Sequence, residues 1–498
     1  MFSHTSDSQP NSFNPSRILI GIFFTALAFR LWGVTNPLLD FHGWRQTLTA
    51  SFAYNFYVNG MNFFNPSPSM INSIFHFEFP LYTYFIALLY KVFGFHEIIG
   101  RIVAIGFSMG SIWFLYLLGK RYFDEVSALV ACGFYAVLPF SVYYSRTFMP
   151  ESAMLFFSIA MVYMFARWLD TEKWSHFLLA SLLATLAFLV KLPTLYMGGP
   201  LLFLTWNKYR GKMFYQPLLY IFLAIILIPP ALWYSYIARL QFEAYGGGNV
   251  WLDMLKDWEV LLTLRYWKLI FWTRLVEKMF AFTVFPFLIM GMRAYTSNKE
   301  RYVLHTWFFC ICAYFIIAAK YNFIHEYYQV PIIPVGCLFA GKFISDFYRN
   351  NISEGWHKSS KVWIVLLMII FIPIHSIYKL KGRLNYNDTY LMIGAEIKNN
   401  TKQGDLIIAN QHLLKPHLFY YGQRKGWGTT HDKKLSSATL NEYVAKGARL
   451  YIMVEGNLEE TDSELYEFLN SHHQFLKKDD KITLFKLLPG KQALLKSG

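Results

Sequence analysis

The chain has 498 residues, of which 55% belong to the hydrophobic set AVILMFWYC and only 15% are charged. A soluble domain carries about 25% charged residues, so this composition excludes a disordered chain and argues strongly against an all-soluble protein. Aromatic residues make up 19% of the chain. That content suits a protein with many membrane–water boundaries, where amphipathic rings gather.

The net charge of +15 does not indicate nucleic-acid binding. Residues 381–498 hold 17 Lys and Arg against 13 Asp and Glu, whereas residues 1–380 hold 29 against 18. The excess therefore lies mostly in the hydrophobic part, where cationic loops orient membrane helices. All four cysteines lie in apolar runs, so we expect no disulfide framework in the tail.

Apolar runs long enough to cross a bilayer recur along the first 380 residues. After a polar start at 1–15, we interpret eleven of them as transmembrane helices, the first uncleaved. A shorter run at 79–93 is interrupted by Thr83 and Lys91, which favours an amphipathic segment on the membrane surface. The eleven runs lie near 17–34, 101–119, 126–143, 149–167, 175–190, 192–206, 216–236, 272–292, 302–319, 327–346 and 361–379.

The distribution of basic residues predicts the orientation of these helices. With the N-terminus inside, the inner loops carry 14 Lys and Arg, and the short outer turns carry only Arg146, Lys191 and Lys320. This asymmetry follows the positive-inside rule. The long loops 36–100 and 237–271 are then outside. The predicted fold is a polytopic α-helical membrane domain over residues 1–379.

Residues 380–498 are predicted to form a small soluble α/β domain outside the membrane. Their β-rich and helical patterns alternate, which indicates a parallel or mixed sheet of three or four strands. No Gly-rich phosphate loop follows a strand, so a nucleotide site is not expected. The strands are predicted at 405–410, 448–456 and 482–487, and the helices near 388–399, 437–446 and 461–471.

Charged and polar side chains gather at the outer ends of the predicted helices. Some of them have an ordinary structural explanation. Asp40 and Glu151 could stabilise helix N-termini, and Lys191 could extend its ammonium group to the membrane surface. Together they suit an anionic lipid phosphate as leaving group and a carboxylate as base for an incoming hydroxyl. The set is Asp40, His42, Arg45, Glu78, Tyr144, Arg146, Glu151, Lys191, His325, Tyr327 and Tyr328.

At these residues the sequence resembles the polyprenyl-phosphate-sugar-dependent glycosyltransferases of the GT-C fold, in the protein O-mannosyltransferase and aminoarabinose-transferase superfamily. The resemblance covers roughly residues 15–345. It implies an inverting transfer of a sugar from a polyprenyl-phosphate carrier to a hydroxyl acceptor (lipid, glycan or protein) on the outer face of a bacterial inner membrane. It rests on the motifs DFHGWRQTLTA, FEFPLY, YSRTFMPE, KLPTLY and HEYYQVPIIP.

The resemblance also implies roles for single residues. The first-loop acid of the family falls on Asp40 as general base, and the acid of the second outer turn falls on Glu151. The carrier phosphate would lie near Lys191 and His325, together with Arg45 and Arg146. The sugar or lipid would lie near Tyr327 and Tyr328, with Glu78 and Tyr144 close to the same site.

The first motif departs from the family pattern. Many relatives have Asp followed directly by Glu, with Arg two residues further on, whereas Phe41 and His42 follow Asp40 here. Aligned on Arg45, His42 takes the place of the acid, so the base is Asp40 or His42, and we favour Asp40. Some relatives bind a divalent cation, which a set of Asp40, His42, Glu78 and Glu151 could hold.

Two other classes of function remain as alternatives. A transporter or lipid flippase would show paired inverted repeats with ionisable residues in the middle of the spans. The sequence shows no repeat, and its polar residues cluster at one boundary instead. A non-catalytic scaffold that recruits a partner through its tail would tolerate neutralisation of the outer carboxylates.

Overall fold

The computed structural model describes residues 14–71, 78–245, 258–294, 298–352 and 359–489. Residues 1–13 of the polar start lie outside the described residues. So do 72–77 and 246–257, which belong to the two long loops predicted to be outside the membrane.

The first 383 residues are mainly helical. Each predicted apolar run falls on one helix or on two consecutive helical segments. In chain order the helices are α1 (Pro15–Leu31), α2 (Gly43–Val58), α3 (Leu81–Phe93), α4 (Glu97–Tyr122), α5 (Glu125–Val137), α6 (Pro139–Tyr144), α7 (Glu151–Thr171), α8 (Trp174–Val190), α9 (Gly198–Tyr209), α10 (Pro217–Tyr245), α11 (Leu264–Met279, π-helical from Lys268), α12 (Val284–Arg293), α13 (Tyr302–Ile317), α14 (Ala319–Ile324), α15 (Ile332–Ile352) and α16 (Ser360–Arg383).

The chain is a multi-pass integral membrane protein. Within the described residues, four helices are long and apolar enough to cross a membrane by length and composition: α4, α7, α10 and α16. The pair α11 and α12, bent by 101°, adds a fifth span if it is counted as one. Other predicted runs are divided between shorter segments, as where α5 ends at Val137 and α6 begins at Pro139. Eleven spans with an inside N-terminus therefore stay a prediction.

Close helix contacts organise the membrane domain. In α15, a Cβ on Gly341 would lie 2.3 Å from the carbonyl oxygen of Ser127 in α5. In α12, a Cβ on Gly291 would lie 1.8 Å from the carbonyl oxygen of Phe339 in α15. Helix α7 is largely buried among its neighbours, whereas α16 is largely exposed. Glu151, the first residue of α7, is buried as well.

The tail folds as the predicted α/β domain, although its sheet is larger than expected. The described residues form a five-stranded mixed sheet in the order β2-β1-β3-β5-β4, parallel from β2 to β3 and antiparallel beyond. The strands at β1, β3 and β5 were predicted; β2 (GWGTT) and β4 (QFLKK) lack a β-rich apolar pattern and were not. The elements are α17 (Thr389–Asn400), β1 (Leu406–Gln411), α18 (His417–Gly422), β2 (Gly426–Thr430), α19 (Ser437–Ala445), β3 (Ala448–Val454), α20 (Leu458–Thr461), α21 (Ser463–His472), β4 (Gln474–Lys478) and β5 (Ile482–Lys486).

The tail docks on the first long loop of the membrane domain. The amide of Gly426 in β2 donates to the carbonyl of Ser69 (3.0 Å), and the amide of Ile71 donates to the carbonyl of Gly426 (2.7 Å). The indole of Trp44 in α2 donates to the carbonyl of Leu414 (3.1 Å). The loop and the tail therefore lie on the same side of the helices, and they form one continuous hydrogen-bonded structure.

Candidate active site

A buried cluster of charges surrounds Asp40, in the turn between α1 and α2. Asp40 Oδ2 lies 3.3 Å from Arg101 Nη2 and 3.7 Å from Arg146 Nη1. Asp40 Oδ1 accepts hydrogen bonds from the Tyr143 hydroxyl (2.8 Å) and from the side-chain amide of Gln46. The Asp40 side chain has 0% exposure. Both oxygens of this carboxylate are thus engaged by protein groups and shielded from solvent.

Two arginines hold the chain that leads from α1 into this turn. Arg101 donates hydrogen bonds to the backbone carbonyls of residues 33, 34, 36 and 37, at 2.5 to 3.2 Å. Arg146 donates to the carbonyl of Gly33 (2.5 Å), whose φ of +67° suits glycine. Carbonyls that have no partner in a helix are satisfied in this way. Arg146 therefore belongs to the support of the loop, and Arg101, which sequence reasoning missed, shares that role.

A second cluster lies where α2, the Glu78 segment, α7 and α8 meet. Arg45 Nη2 lies 2.5 Å from Glu78 Oε2, and Lys191 Nζ lies 2.5 Å from Glu151 Oε1. Glu78 Oε1 is 3.5 Å from Lys191 Nζ, so this carboxylate bridges the two cations. Glu151 is buried, and among the described residues its Oε2 has no hydrogen-bond partner. The cluster thus combines four predicted site residues in one charge network.

Two tyrosines and a histidine complete this side of the site. Lys191 Nζ lies 5.1 Å from the ring centre of Tyr327 and 5.3 Å from that of Tyr328, in cation–π geometry. His325 stacks on Tyr327 with ring centres 5.1 Å apart. Burial, and then the nearby positive charges, lower the pKa of His325 to about 4. With this lowered pKa, the imidazole of His325 is neutral at pH 7.

A third cluster is built on His42, at the start of α2. Its Nε2 lies 2.8 Å from the Tyr144 hydroxyl, which donates to Glu326 Oε1 at 2.8 Å. Glu326 also lies 3.0 Å from Lys278 Nζ and 2.5 Å from Arg383 Nη2. Burial alone would raise the pKa of the Glu326 carboxyl, but His42, Arg383 and Lys278 outweigh it and hold that pKa well below its usual range.

Sequence reasoning gave no role to Glu326, Lys278 or Arg383. A signal was present, because each lies near the outer end of a predicted span, as Lys191 does. Nothing in the sequence, however, shows that the ends of α11 and α16 approach the first loop. Only the fold brings His42, Lys278 and Arg383 to the Tyr144 hydroxyl and the Glu326 carboxylate.

The four residues considered as metal ligands do not converge. Asp40, Glu78 and Glu151 each lie within 3.3 Å of a different arginine or lysine side chain. Within the part of the chain that the structure describes, no three His, Cys, Asp or Glu side chains are grouped as a metal site would need. Carboxylates already neutralised by cations do not fit a divalent metal at this place.

An apolar groove begins at Leu192, the residue that follows Lys191. It has a volume of about 630 Å³ and separates the segment that starts at Leu192 from α13. Its walls are apolar or aromatic on both sides, as Tyr196 and Tyr314 illustrate. A second apolar cavity of about 330 Å³ lies between α7, α8, α9 and α10, and Leu195 lines both. This hydrophobic surface is thus joined to the charged cluster through the chain, because Leu192 directly follows Lys191.

The chain is similar to known membrane glycosyltransferases in part of its sequence and in its fold. Residues 78–234 match the family model of dolichyl-phosphate-mannose-protein mannosyltransferases. The structure is similar to ArnT from Cupriavidus metallidurans bound to undecaprenyl phosphate, with a TM-score of 0.66 and 12% identity, over 95% of this chain and 99% of that one. A search of curated proteins finds no match.

Two larger enzymes share the same fold. The oligosaccharyltransferase of Archaeoglobus fulgidus has a TM-score of 0.58 and 12% identity, over 93% of this chain and 73% of that one. The arabinofuranosyltransferase AftD from mycobacteria has a TM-score of 0.58 and 11% identity, over 96% and 42%. The fold of this chain is therefore the GT-C fold.

With the family match at 78–234, these findings confirm the resemblance inferred from the motifs. Residues 78–234 thus carry the sequence signature of the dolichyl-phosphate-mannose-protein mannosyltransferases, and the chain as a whole has the fold of these membrane glycosyltransferases.

Proposed function

We propose that the protein transfers a sugar from a polyprenyl-phosphate carrier to a hydroxyl group, with inversion at the anomeric carbon, on the outer face of the membrane. The observation that carries the proposal is the position of Arg45 and Lys191. These two cations share one carboxylate, Glu78, and the residue that follows Lys191, Leu192, lines an apolar groove. A phosphate with a long hydrocarbon chain matches both features.

The carrier phosphate would take the place of Glu78. The Glu78 side chain is 25% exposed, whereas that of Lys191 is 5% exposed, so the carboxylate is the partner that can leave. A phosphate supplies several acceptor oxygens and more negative charge than a carboxylate, and charge-assisted hydrogen bonds are the stronger kind. Lys191 would keep its contact with Glu151, which fixes its position.

The same cations would stabilise the leaving group. When the bond between the sugar and the phosphate breaks, negative charge develops on the phosphate oxygens. Arg45 and Lys191 are placed to stabilise that charge in a partly buried site, where electrostatic interactions are stronger than in water. The phosphate then needs no general acid, and the lipid chain would lie in the groove that begins at Leu192.

The sugar would lie between the phosphate cations and the first loop. The ring centre of Tyr327 lies 5.1 Å from Lys191 Nζ and 5.4 Å from the ring centre of His42. Tyr327 therefore separates the phosphate side from the side on which a hydroxyl would be activated. An inverting displacement needs that arrangement, because the acceptor attacks opposite the leaving group.

We also propose the arrangement in the membrane that the charge distribution predicts. The membrane domain would comprise residues 1–379 with eleven spans and an inside N-terminus, and residues 380–498 would form an extracytoplasmic domain. Contact between the tail and the first loop supports a common side for both. A bacterial inner membrane suits a carrier of the undecaprenyl phosphate type, the ligand of ArnT from Cupriavidus metallidurans.

Binding of undecaprenyl phosphate to the purified full-length protein tests the proposal. We expect this lipid to bind more tightly than undecaprenol, which lacks the phosphate, and R45M to weaken its binding at least tenfold. K212M removes an exposed cation from a distant loop and should leave binding unchanged. Equal affinity for the alcohol and the phosphate would contradict the proposal.

Sugar transfer is measured with the same preparation. Undecaprenyl-phosphate-linked hexoses and pentoses are supplied with candidate acceptors extracted from membranes, and the labelled product is followed. We expect transfer with at least one donor. Transport of these lipids across proteoliposomes without any transfer would instead favour the flippase alternative.

A further inference from the structure

We propose that His42, rather than Asp40, is the general base, and that Glu326 sets its working tautomer through the Tyr144 hydroxyl. This inference rests on the proposed function. It reverses the preference drawn from the first motif alone, and it gives a role to Glu326, the carboxylate of the motif HEYYQVPIIP.

The surroundings of Asp40 do not suit a base. A base must reach the proton it removes, within about 3 Å or through one water. The Asp40 side chain is fully buried, and two arginines, a tyrosine hydroxyl and an amide occupy its oxygens. To remove a substrate proton, Asp40 would have to break these hydrogen bonds and lose its negative charge. That charge compensates the buried guanidinium groups of Arg101 and Arg146.

The surroundings of His42 do suit a base. Its side chain is 16% exposed, and its ring lies against Tyr327, next to the cations proposed for the phosphate. The backbone amide of His42 donates to the Tyr143 hydroxyl at 3.2 Å, which ties the residue to the Asp40 cluster. Asp40 thus supports the position of His42.

A count of protons assigns the tautomer of His42. Glu326 is ionised, because Lys278 and Arg383 both face it, so it can only accept hydrogen bonds. The single hydroxyl hydrogen of Tyr144 is directed to Glu326, which leaves the Tyr144 oxygen as the acceptor for His42. His42 Nε2 therefore carries a hydrogen.

In a neutral imidazole with hydrogen on Nε2, the lone pair lies on Nδ1. Among the described residues, no hydrogen bond engages His42 Nδ1. Nδ1 is thus the atom able to receive a proton from an acceptor. The groups that face the ring are Phe41, Tyr144, Tyr327 and, at 3.8 Å, Glu326.

The reaction step follows from this assignment. The acceptor hydroxyl gives its proton to His42 Nδ1 while its oxygen forms a bond to the anomeric carbon. The bond between that carbon and the phosphate oxygen breaks, and its electron pair stays on the phosphate between Arg45 and Lys191. The imidazolium that forms donates from Nε2 toward Tyr144, and the negative charge of Glu326 stabilises it.

Chemical rescue distinguishes the two candidate bases. In the transfer assay, we expect H42A to lose between 100-fold and 10,000-fold of kcat, the usual contribution of a general base, while undecaprenyl phosphate still binds. Added imidazole should restore part of the activity of H42A, and added formate should not restore that of D40A. The matched control H96A, at an exposed histidine of the same loop, should retain activity and show no response to imidazole.

A double-mutant cycle tests Glu326 as a positioning residue. We expect E326Q to lower kcat with little change in KM for the donor, and to have no further effect in the H42A background. Rescue of D40A by formate, or an H42A enzyme with more than a tenth of the wild-type kcat, would overturn the inference. Absence of transfer and of lipid binding by the wild-type protein would instead contradict the proposed function.

Discussion

Substitution of Lys191 by methionine separates the stability of the site from its affinity for phosphate. The change leaves Glu151, which is 1% exposed, as a buried charge without its cation. Removing one partner of a buried ion pair destabilises a protein by about 3–5 kcal/mol. We therefore expect a clear fall in the midpoint of thermal unfolding for K191M.

The double variant E151Q/K191M removes both charges. An ion pair replaced by neutral groups of similar shape is often nearly neutral in free energy, so most of the lost stability should return. Affinity for undecaprenyl phosphate should not return, because the cation is still missing. One lost charge-assisted hydrogen bond, worth about 1.5–3 kcal/mol, corresponds to roughly a tenfold to hundredfold weaker Kd.

The assay compares thermal unfolding and binding of undecaprenyl phosphate for the wild-type protein, K191M, E151Q and E151Q/K191M in one detergent. If E151Q/K191M binds the lipid as tightly as the wild type, Lys191 is not a phosphate ligand. If K191M is as stable as E151Q/K191M, the charge of Glu151 is not buried as described, and Lys191 is not needed to compensate it.

Two further predictions concern the tail and the bundle. Burial, with Lys415 nearby, lowers the pKa of His417 from 6.5 to about 3 at its contact with Thr47. The folded form then binds fewer protons than the unfolded form between those pH values, so the stability of the fold should fall as pH drops from 6.5 towards 3. In thermal unfolding at several pH values, H417Q should show a weaker dependence of stability on pH. An unchanged dependence would exclude His417 as its source. G341A should destabilise the protein by about 1–3 kcal/mol through overpacking. The control G133A should not, because a Cβ at Gly133 meets nothing within 4 Å. Equal midpoints of thermal unfolding for the two variants would contradict the packing of α15 on α5.

Hydropathy and the order of the motifs were sufficient to predict much of the architecture. Each apolar run became helical because a backbone in lipid must satisfy its own hydrogen bonds. The alternating patterns of the tail became a sheet with helices for equally local reasons. Arg45, Glu78, Glu151 and Lys191 were expected at one boundary, and they form a single charge network.

The choice between Asp40 and His42 required distances that sequence reasoning lacks. Asp40 is buried because Arg101, 61 residues away in the chain, reaches both its carboxylate and the preceding carbonyls. Strand β2 was missed because its sequence, GWGTT, has little strand propensity, and it is held between β1 and the Ser69–Ile71 segment. Such long-range contacts outweigh local preference.

The junction between the first loop and the tail has a consequence for biogenesis. The hydrogen bonds from Leu38 and Trp44 reach residues 383 and 370 positions further along the chain. At typical synthesis rates of 5–20 residues per second, the loop would wait roughly 20 to 75 s on the ribosome for these partners. A nascent chain can therefore insert its helices well before the first loop gains its partners in the tail. Translation halted before Leu414 would leave the helices inserted and the first loop without either contact.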